Sequence, residues 1–419
     1  MAESAQGIAA IEDDPKAVFI TLLARELHRA GVASDQLERT ITGAADALGL
    51  QVEIFALPTN ITLAVGPRYR QQIVMLRMAP GRISLRRLAA LNDIYERLQK
   101  HTIDLHHAVV ELRTLDERLP PIRSIVRIAA LAFVAVGVAV ILGGGARELI
   151  VAALIGAVTG QLSVFAARSR TFDRLFEVTA AFAGTLIVAA YDHFVGPVNL
   201  YISIVAGVVV LLPGYALTLA LHELANADLI AGTARLGRVL SILLALGCGA
   251  LLGFAVVGNH FAGSAIRPQP VDPIYWAGAI VLMSIGLAID LDADIRHFLW
   301  VFMACFCALV TSKVFGQLPA HQVTAFISAF VCGIVANLGA RAFRVPQPVF
   351  LVPALHVLVP GSLSYESVLY VFSNNYDSAL TLGVNAIIAG ILIVAGLLLS
   401  QLIFPEPTLR TVQIDVKRR

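Results

Sequence analysis

The sequence predicts a polytopic α-helical membrane protein of about ten transmembrane helices, set as two inverted five-helix repeats behind a small soluble α+β N-terminal domain. Three observations carry that reading. The 419-residue chain is 58% hydrophobic and 14% charged, with a mean hydropathy of +0.78, whereas soluble chains run at about 45–50% apolar and about 25% charged. Apolar windows of spanning length, about 20 residues each, begin only after Pro120-Pro121. A Pro-Gly pair then recurs at the same place in each half of that stretch. Apolar surface in such excess cannot be hidden in a water-soluble core, and a bilayer is its natural solvent.

The first region, 1–120, alternates polar and apolar residues like a soluble cytoplasmic domain. Met1 to Lys16 is polar and carries Glu3, Glu12, Asp13 and Asp14, so it does not read as a secretory signal. Amphipathic helices are expected over 15–30 and 34–48, with Ser34 as N-cap of the second and Gly49 as its stop. Strands are expected over 51–56, 61–65 and 72–78, separated by the Pro58-Thr59-Asn60 and Gly66-Pro67 turns. Two further helices near 84–99 and 102–118 complete the order αα-βββ-αα.

Spans are expected near 122–143, 148–167, 175–194, 197–218 and 236–257, forming a first half over 121–258. An extracytoplasmic linker over 259–273 carries Asn259, Arg267, Pro268, Pro270, Asp272 and Pro273. A second half over 274–404 follows, with spans near 274–290, 297–316, 321–340, 348–369 and 381–403, and then a cytoplasmic tail over 405–419. Val210-Leu211-Leu212-Pro213-Gly214 recurs as Val357-Leu358-Val359-Pro360-Gly361, each time in the fourth span of its half. Five spans per half is an odd number, so the second copy must enter the membrane from the other side. Loop charges agree: Arg168, Arg170, Arg174, Arg235, Arg238, Arg296, Arg341 and Arg344 fall on one side, with Arg410, Lys417, Arg418 and Arg419 of the tail. Arg147, Arg267 and Lys313 fall on the other, so both termini are expected in the cytoplasm.

Several function classes are set aside by what the chain carries. A net charge of +2 and the want of basic, aromatic-interleaved tracts argue against a nucleic-acid partner. Cys248, Cys305, Cys307 and Cys332 sit inside apolar runs without a CxxC pair, and read as small buried side chains. No HExxH, GxSxG, Walker A or GxGxxG context points to a hydrolase or an ATPase, and no cofactor is expected. His101, Asp104, His107 and Glu111 share a helical face at metal-ligand spacing, but no second cluster joins them, and they read as ordinary exposed residues.

The chemistry is expected at the two Pro-Gly pairs. Proline removes a backbone donor and glycine adds freedom, so such a pair breaks a helix. In hydrocarbon a break survives where it is buried in protein or lines a cavity. After Pro213-Gly214, the residues Thr218, His222 and Asn226 share one helix face, with Glu223 and Asp228 beside it. After Pro360-Gly361, the residues Glu366, Tyr370, Asn374 and Asp377 make a comparable stripe, of which Glu366 reads as solvated. Thr218, His222, Asn226, Tyr370 and Asn374 suit contact with a small polar solute. Glu223, Asp228 and Asp377 are carboxylates able to carry protons, and His356 titrates near neutrality one turn before Pro360. Glu177 lies a turn inside the third span, where snorkelling competes with a pathway role. Asp290, Asp292 and Asp294 read as a solvated loop.

These residues resemble a family. Gly31-Val32-Ala33-Ser34 with Glu38, Ala47-Leu48-Gly49-Leu50 and Pro58-Thr59 are similar to the start of the cytosolic domain of the threonine/serine exporter (ThrE-type) family. Leu212-Pro213-Gly214, Leu221-His222-Glu223-Leu224, Asp228, Ala231-Gly232 and Arg235-Leu236 resemble its signature after the fourth span. The segments 336–341 and 352–355, with Val359-Pro360-Gly361, resemble its second half. Glu223 stands where the family pattern has an aspartate, and Asn375-Tyr376-Asp377 stands where it has a Gly-Asp pair. The resemblance covers nearly the whole chain. It implies a carrier in the bacterial inner membrane, not an enzyme, that exports hydroxy-amino acids on the proton motive force. Its partners would be a small-molecule substrate, protons and the lipid bilayer, with homo-oligomerisation left open. Relatives split into two polypeptides imply a second reading, export of dicarboxylates such as succinate. A third reading, from another class, is a membrane-anchored sensor or enzyme working through the N-terminal domain.

Overall fold

A computed structural model describes residues 14–79, 81–258, 270–272, 274–317, 321–343, 345–358, 361–372 and 374–405. Pro360, most of the 259–273 linker and the tail from 406 onward lie outside the described residues.

The N-terminal module begins with α1 (Pro15–Arg29), capped by the Asp14 carboxylate, which accepts from Lys16 N–H. Phe19, Ile20, Leu23 and Leu27 recur at helical spacing and are buried. Helix α2 (Ser34–Ala47) ends before Gly49, whose φ of +67° gives the left-handed turn that stops it. Its N-cap is Ala33, without a side-chain cap bond, rather than Ser34. Ser34 is instead the first helical residue, and its N–H is taken by a distant carboxylate described below. Strands β1 (Val52–Leu57), β2 (Asn60–Val65) and β3 (Gln72–Arg77) form an antiparallel meander with β2 central. Ile61, Leu63 and Val65 alternate inward along β2, the period of a half-buried strand. Helix α3 (Leu85–Gln99) is capped by Ser84. The helix expected over 102–118 starts later, at α4 (Leu105–Arg113), because the Asp104 carboxylate caps it at His107 N–H. A short turn, α5 (Leu115–Arg118), follows.

The module rests on the membrane-embedded part. Leu85 N–H donates to the Leu291 carbonyl at 2.9 Å and Arg86 N–H to that of Asp292 at 2.8 Å. The Asp292 carboxylate accepts from Ser84 Oγ at 2.6 Å and pairs with Arg86 at 2.8 Å. The 290–294 segment is therefore a docking loop and not the solvated loop the sequence suggests.

Beyond it run α6 (Ser124–Ile141), α7 (Ala146–Ala166), the short α8 (Arg170–Asp173), α9 (Phe176–Phe194), α10 (Leu200–Val208), α11 (Gly214–Ala225) and α12 (Leu229–Val257). A second set comprises α13 (Ile274–Asp290), α14 (Phe298–Phe315), α15 (His321–Phe343), α16 (Pro348–Leu358), α17 (Gly361–Phe372) and α18 (Tyr376–Ile403). Among the described residues seven helices are long and apolar enough to cross a membrane, or eight with the bent pair around Pro213 as one span. Helix α13 is a shorter apolar helix, and α9 carries Glu177 and Asp192 in its end turns. The chain is a polytopic helical membrane protein.

The two sets pack alike. Helix α9 lies on α12 as α15 lies on α18, α11 on α12 as α17 on α18, and α7 on α10 as α14 on α16. Across the sets α12 meets α17, and α18 meets α11. Glycines set the close approaches: a Cβ at Gly249 would stand 2.2 Å from the Val178 carbonyl oxygen, and one at Gly396 2.5 Å from that of Phe326.

Candidate functional site

The first break lies between α10 and α11. Val209–Leu211 tightens into a 3₁₀ turn, Leu212 turns extended, and Pro213 caps α11 without an N–H to offer. The two helices meet at 58°. The fourth expected span, 197–218, is thus two helices, the second reaching Ala225. In the second set α16 (Pro348–Leu358) and α17 (Gly361–Phe372) flank Val359 and Pro360, which lie outside the described residues, as does the second expected break. The two helices count together as one apolar span over Pro348–Val371. Gly361 touches the first break: a Cβ on it would lie 3.3 Å from both Gly214 Cα and Leu212 Cβ. Glycine at 361 is what lets α17 approach the first break so closely.

Two clefts open beside this junction. One, of about 780 Å³ with its open mouth included, is lined by α6, α13, the first break, the end of α16 and the start of α17, among them Val138, Met283, Tyr215, His356 and Ser362. The Tyr215 and His356 rings stack at 5.5 Å and 12°. His356 Nδ1 donates to the Val352 carbonyl at 2.9 Å, which leaves Nε2 as the ring's free nitrogen. The other cleft, of about 610 Å³ on the same measure, lies between α2, α11, α16 and α18 and includes Asp35, Arg39, Tyr215, Thr218, His222 and Gln401. Tyr215 lines both clefts.

The stripe expected on α11 is present and splits in its partners. Thr218 is buried with its hydroxyl unpaired. Asn226 Nδ2 donates to Asp35 Oδ2 at 3.0 Å and approaches His222 Nε2 at 3.1 Å, and His222 Nε2 lies 3.7 Å from the same Asp35 oxygen. Glu223 is fully buried. It takes a two-point contact from Arg235 Nε at 2.9 Å and Nη2 at 2.8 Å, and Ser34 N–H donates to it at 3.3 Å. Asp228 caps α12 through Ala231 N–H.

The second stripe is more scattered. Glu366 is half-buried and hydrogen-bonded to Tyr201 of α10, so it is not solvated. Tyr370 is half-buried on α17. Asn374 follows α17 at φ +58°, its Oδ1 accepting from Tyr376 Oη at 3.1 Å. Asp377 is exposed in the first turn of α18, and Glu177 half-buried in that of α9. Neither lines either cleft.

Asp35, Arg39 and Tyr215 were not singled out from the sequence, and Arg235 was read only as a loop charge and part of the family signature. Tyr215 had a signal, an aromatic directly after the break. Asp35 and Arg39 come from a segment far along the chain. Glu38, on the turn after Asp35, accepts from Ala56 N–H at 2.8 Å. Burial, with the charges of Asp228 and Asp35, holds its carboxyl above the usual glutamate range.

Two family models match end to end: "Putative threonine/serine exporter" over residues 18–257 and "Threonine/Serine exporter, ThrE" over 277–403. The chain belongs to the threonine/serine exporter family. The junction between the matches falls between the two helical sets. Curated relatives include pheromone-regulated membrane protein 10 of Zygosaccharomyces rouxii, 24% identical over 83% of this chain and 37% of its own. The proteins of that name from Eremothecium gossypii and Saccharomyces cerevisiae are 24% identical over 88% of this chain and 51% of theirs, and 25% over 71% and 79%. The chain spans less than two thirds of the length of the first two of these three. No solved structure matches it significantly.

Proposed function

We propose that the protein is a secondary-active exporter of small hydrophilic metabolites, threonine and serine first, driven by the proton motive force. In this reading ten spans form two inverted five-helix repeats in a bacterial inner membrane, with both termini and the N-terminal module in the cytoplasm. The observation that carries it is the contact between Gly214 and Gly361, which brings the first break and the matching Pro-Gly position of the second half to a single cleft. The matching helix pairs of the two sets support the repeat. Helix ends at the breaks offer backbone N–H and C=O groups to the two charged ends of an amino acid. His356 Nε2 and the Glu223–Arg235 pair are the proton-handling candidates, since protonating Glu223 requires giving up Arg235. Asp228, Asp377 and Glu177 remain candidates of lower rank by their distance from the clefts.

The test is efflux from proteoliposomes loaded with threonine, serine or succinate, with and without an imposed pH gradient. Threonine and serine efflux accelerated by the gradient is the expected result. Succinate efflux alone would select the dicarboxylate reading, and no gradient-dependent efflux of any of the three would sink the proposal.

A further inference from the structure

We infer that the cleft between α2 and α11 is a binding site for the ammonium end of a small amino acid, with Asp35 of the N-terminal module as its recognition group. The inference rests on the exporter reading and adds to it a site, a residue and a basis for selectivity.

Three residues that line this cleft each carry a buried polar atom without a hydrogen-bond partner in the protein: Asp35 Oδ1, Thr218 Oγ1 and His222 Nδ1. Buried polar atoms are paired in the great majority of cases, so three orphans in one cleft indicate a polar occupant. Thr218 is 2% exposed, and the Asp35 side chain 12%. Asp35 is held from one side only. Its Oδ2 accepts from Asn226 and from Arg39 Nη2, the latter at 2.8 Å, while Oδ1 is buried without a hydrogen-bond partner. With Asn226 donating to His222 Nε2, the His222 proton sits on Nδ1, as a donor.

The residues lining the cleft therefore supply a carboxylate oxygen that only accepts, a hydroxyl that does both, an imidazole N–H and the Arg39 guanidinium. An ammonium fits Asp35 Oδ1, a side-chain hydroxyl fits Thr218, and a carboxylate fits His222 N–H and Arg39. A dicarboxylate would set one of its charges against Asp35, which disfavours it. The site is shared between two parts of the chain: Asp35 and Arg39 come from the module, Thr218 and His222 from the helix after the first break. Tyr215 stands between it and the cleft at the junction. This gives the module a direct part in solute recognition.

The test uses the full-length chain. Asp35→Asn keeps the shape and removes the charge; Thr218→Val removes the hydroxyl alone and serves if the first variant folds poorly. Efflux kinetics in proteoliposomes and equilibrium binding of L-threonine in detergent are both measured. The expected result is a KM and a dissociation constant for L-threonine raised about tenfold or more by Asp35→Asn, with maximal rate within about twofold, and a smaller rise for Thr218→Val. Asp35→Glu is expected to recover part of the loss. Threonine efflux with KM unchanged in both variants would overturn the site and leave the exporter reading standing. Threonine binding that Asp35→Asn weakens, in a protein that moves no solute, would sustain the site and end the exporter reading. Wild-type protein that neither binds nor moves threonine would end both.

Discussion

At Glu223 a carboxylate with no exposure to solvent meets Arg235 at two points and Ser34 N–H at a third. Removing one member of such a pair strands the other charge in a low-dielectric setting, at a cost of about 3–5 kcal/mol, whereas removing both costs less. Glu223→Gln and Arg235→Gln are each expected to lower the unfolding free energy of the detergent-purified chain by about 3 kcal/mol. The double variant should lose well under the sum, and additive losses would show that the pair is not a unit. Helical periodicity made Glu223 visible as a polar group after a break, because i, i+4 spacing is local. Its partners were not visible: Arg235 lies on the next helix, and Ser34 is 189 residues earlier. Asp35 was hidden for the same reason, reading in isolation as an ordinary first-turn acid of an amphipathic helix.

At the level of elements, the break at Pro213-Gly214 was legible because proline and glycine act on the backbone wherever they stand. What the sequence could not show is that Gly361 touches this break, since the 3.3 Å approach depends on how the two sets of helices dock. The close pairing of α9 with α12 is likewise a matter of small residues at chosen faces. A Cβ at Gly249 would meet the Val178 carbonyl oxygen at 2.2 Å and Ala181 Cβ at 3.0 Å, and backbone cannot step aside as a flexible side chain can. Gly249→Ala is therefore expected to destabilise by about 1–3 kcal/mol, the range for overpacked interiors. Gly237→Ala on the same helix has nothing within 4 Å of the added carbon. It should be neutral or raise stability by about 0.5 kcal/mol, as an ordinary glycine-to-alanine change in a helix does. Thermal unfolding of the two variants side by side checks this, and equal effects would mean that α9 and α12 are not in close contact.

For the whole molecule, composition was enough to separate a polar N-terminal region from an apolar remainder, since burial in water and in lipid demand opposite surfaces. The docking between them was not legible: Ser84, Arg86 and Asp292 are unremarkable alone and form one contact only in the fold. Two carboxylates of the N-terminal module leave a signature in acid. Glu38, on the same helix as Asp35, titrates above the usual glutamate range because burial and the charges of Asp228 and Asp35 disfavour its ionised form. Folding then tightens its grip on a proton, so its contribution favours the folded state at low pH and is lost as pH rises through the glutamate range. Glu111, held below its ordinary value by its hydrogen bond from Arg97, works the other way: it stabilises above the usual range and loses that support as pH falls. As pH rises from the ordinary glutamate value of about 4.3 towards neutrality, Glu38→Gln should gain stability relative to the unsubstituted chain. Glu111→Gln should lose it over the range below about 4.3, as pH rises through the lowered Glu111 pKa. Thermal midpoints of the three proteins across both ranges give the answer directly. Parallel curves for Glu38→Gln and the unsubstituted chain would mean that Glu38 ionises as freely in the fold as in the unfolded chain, and that the carboxylates around Asp35 do not share a buried setting.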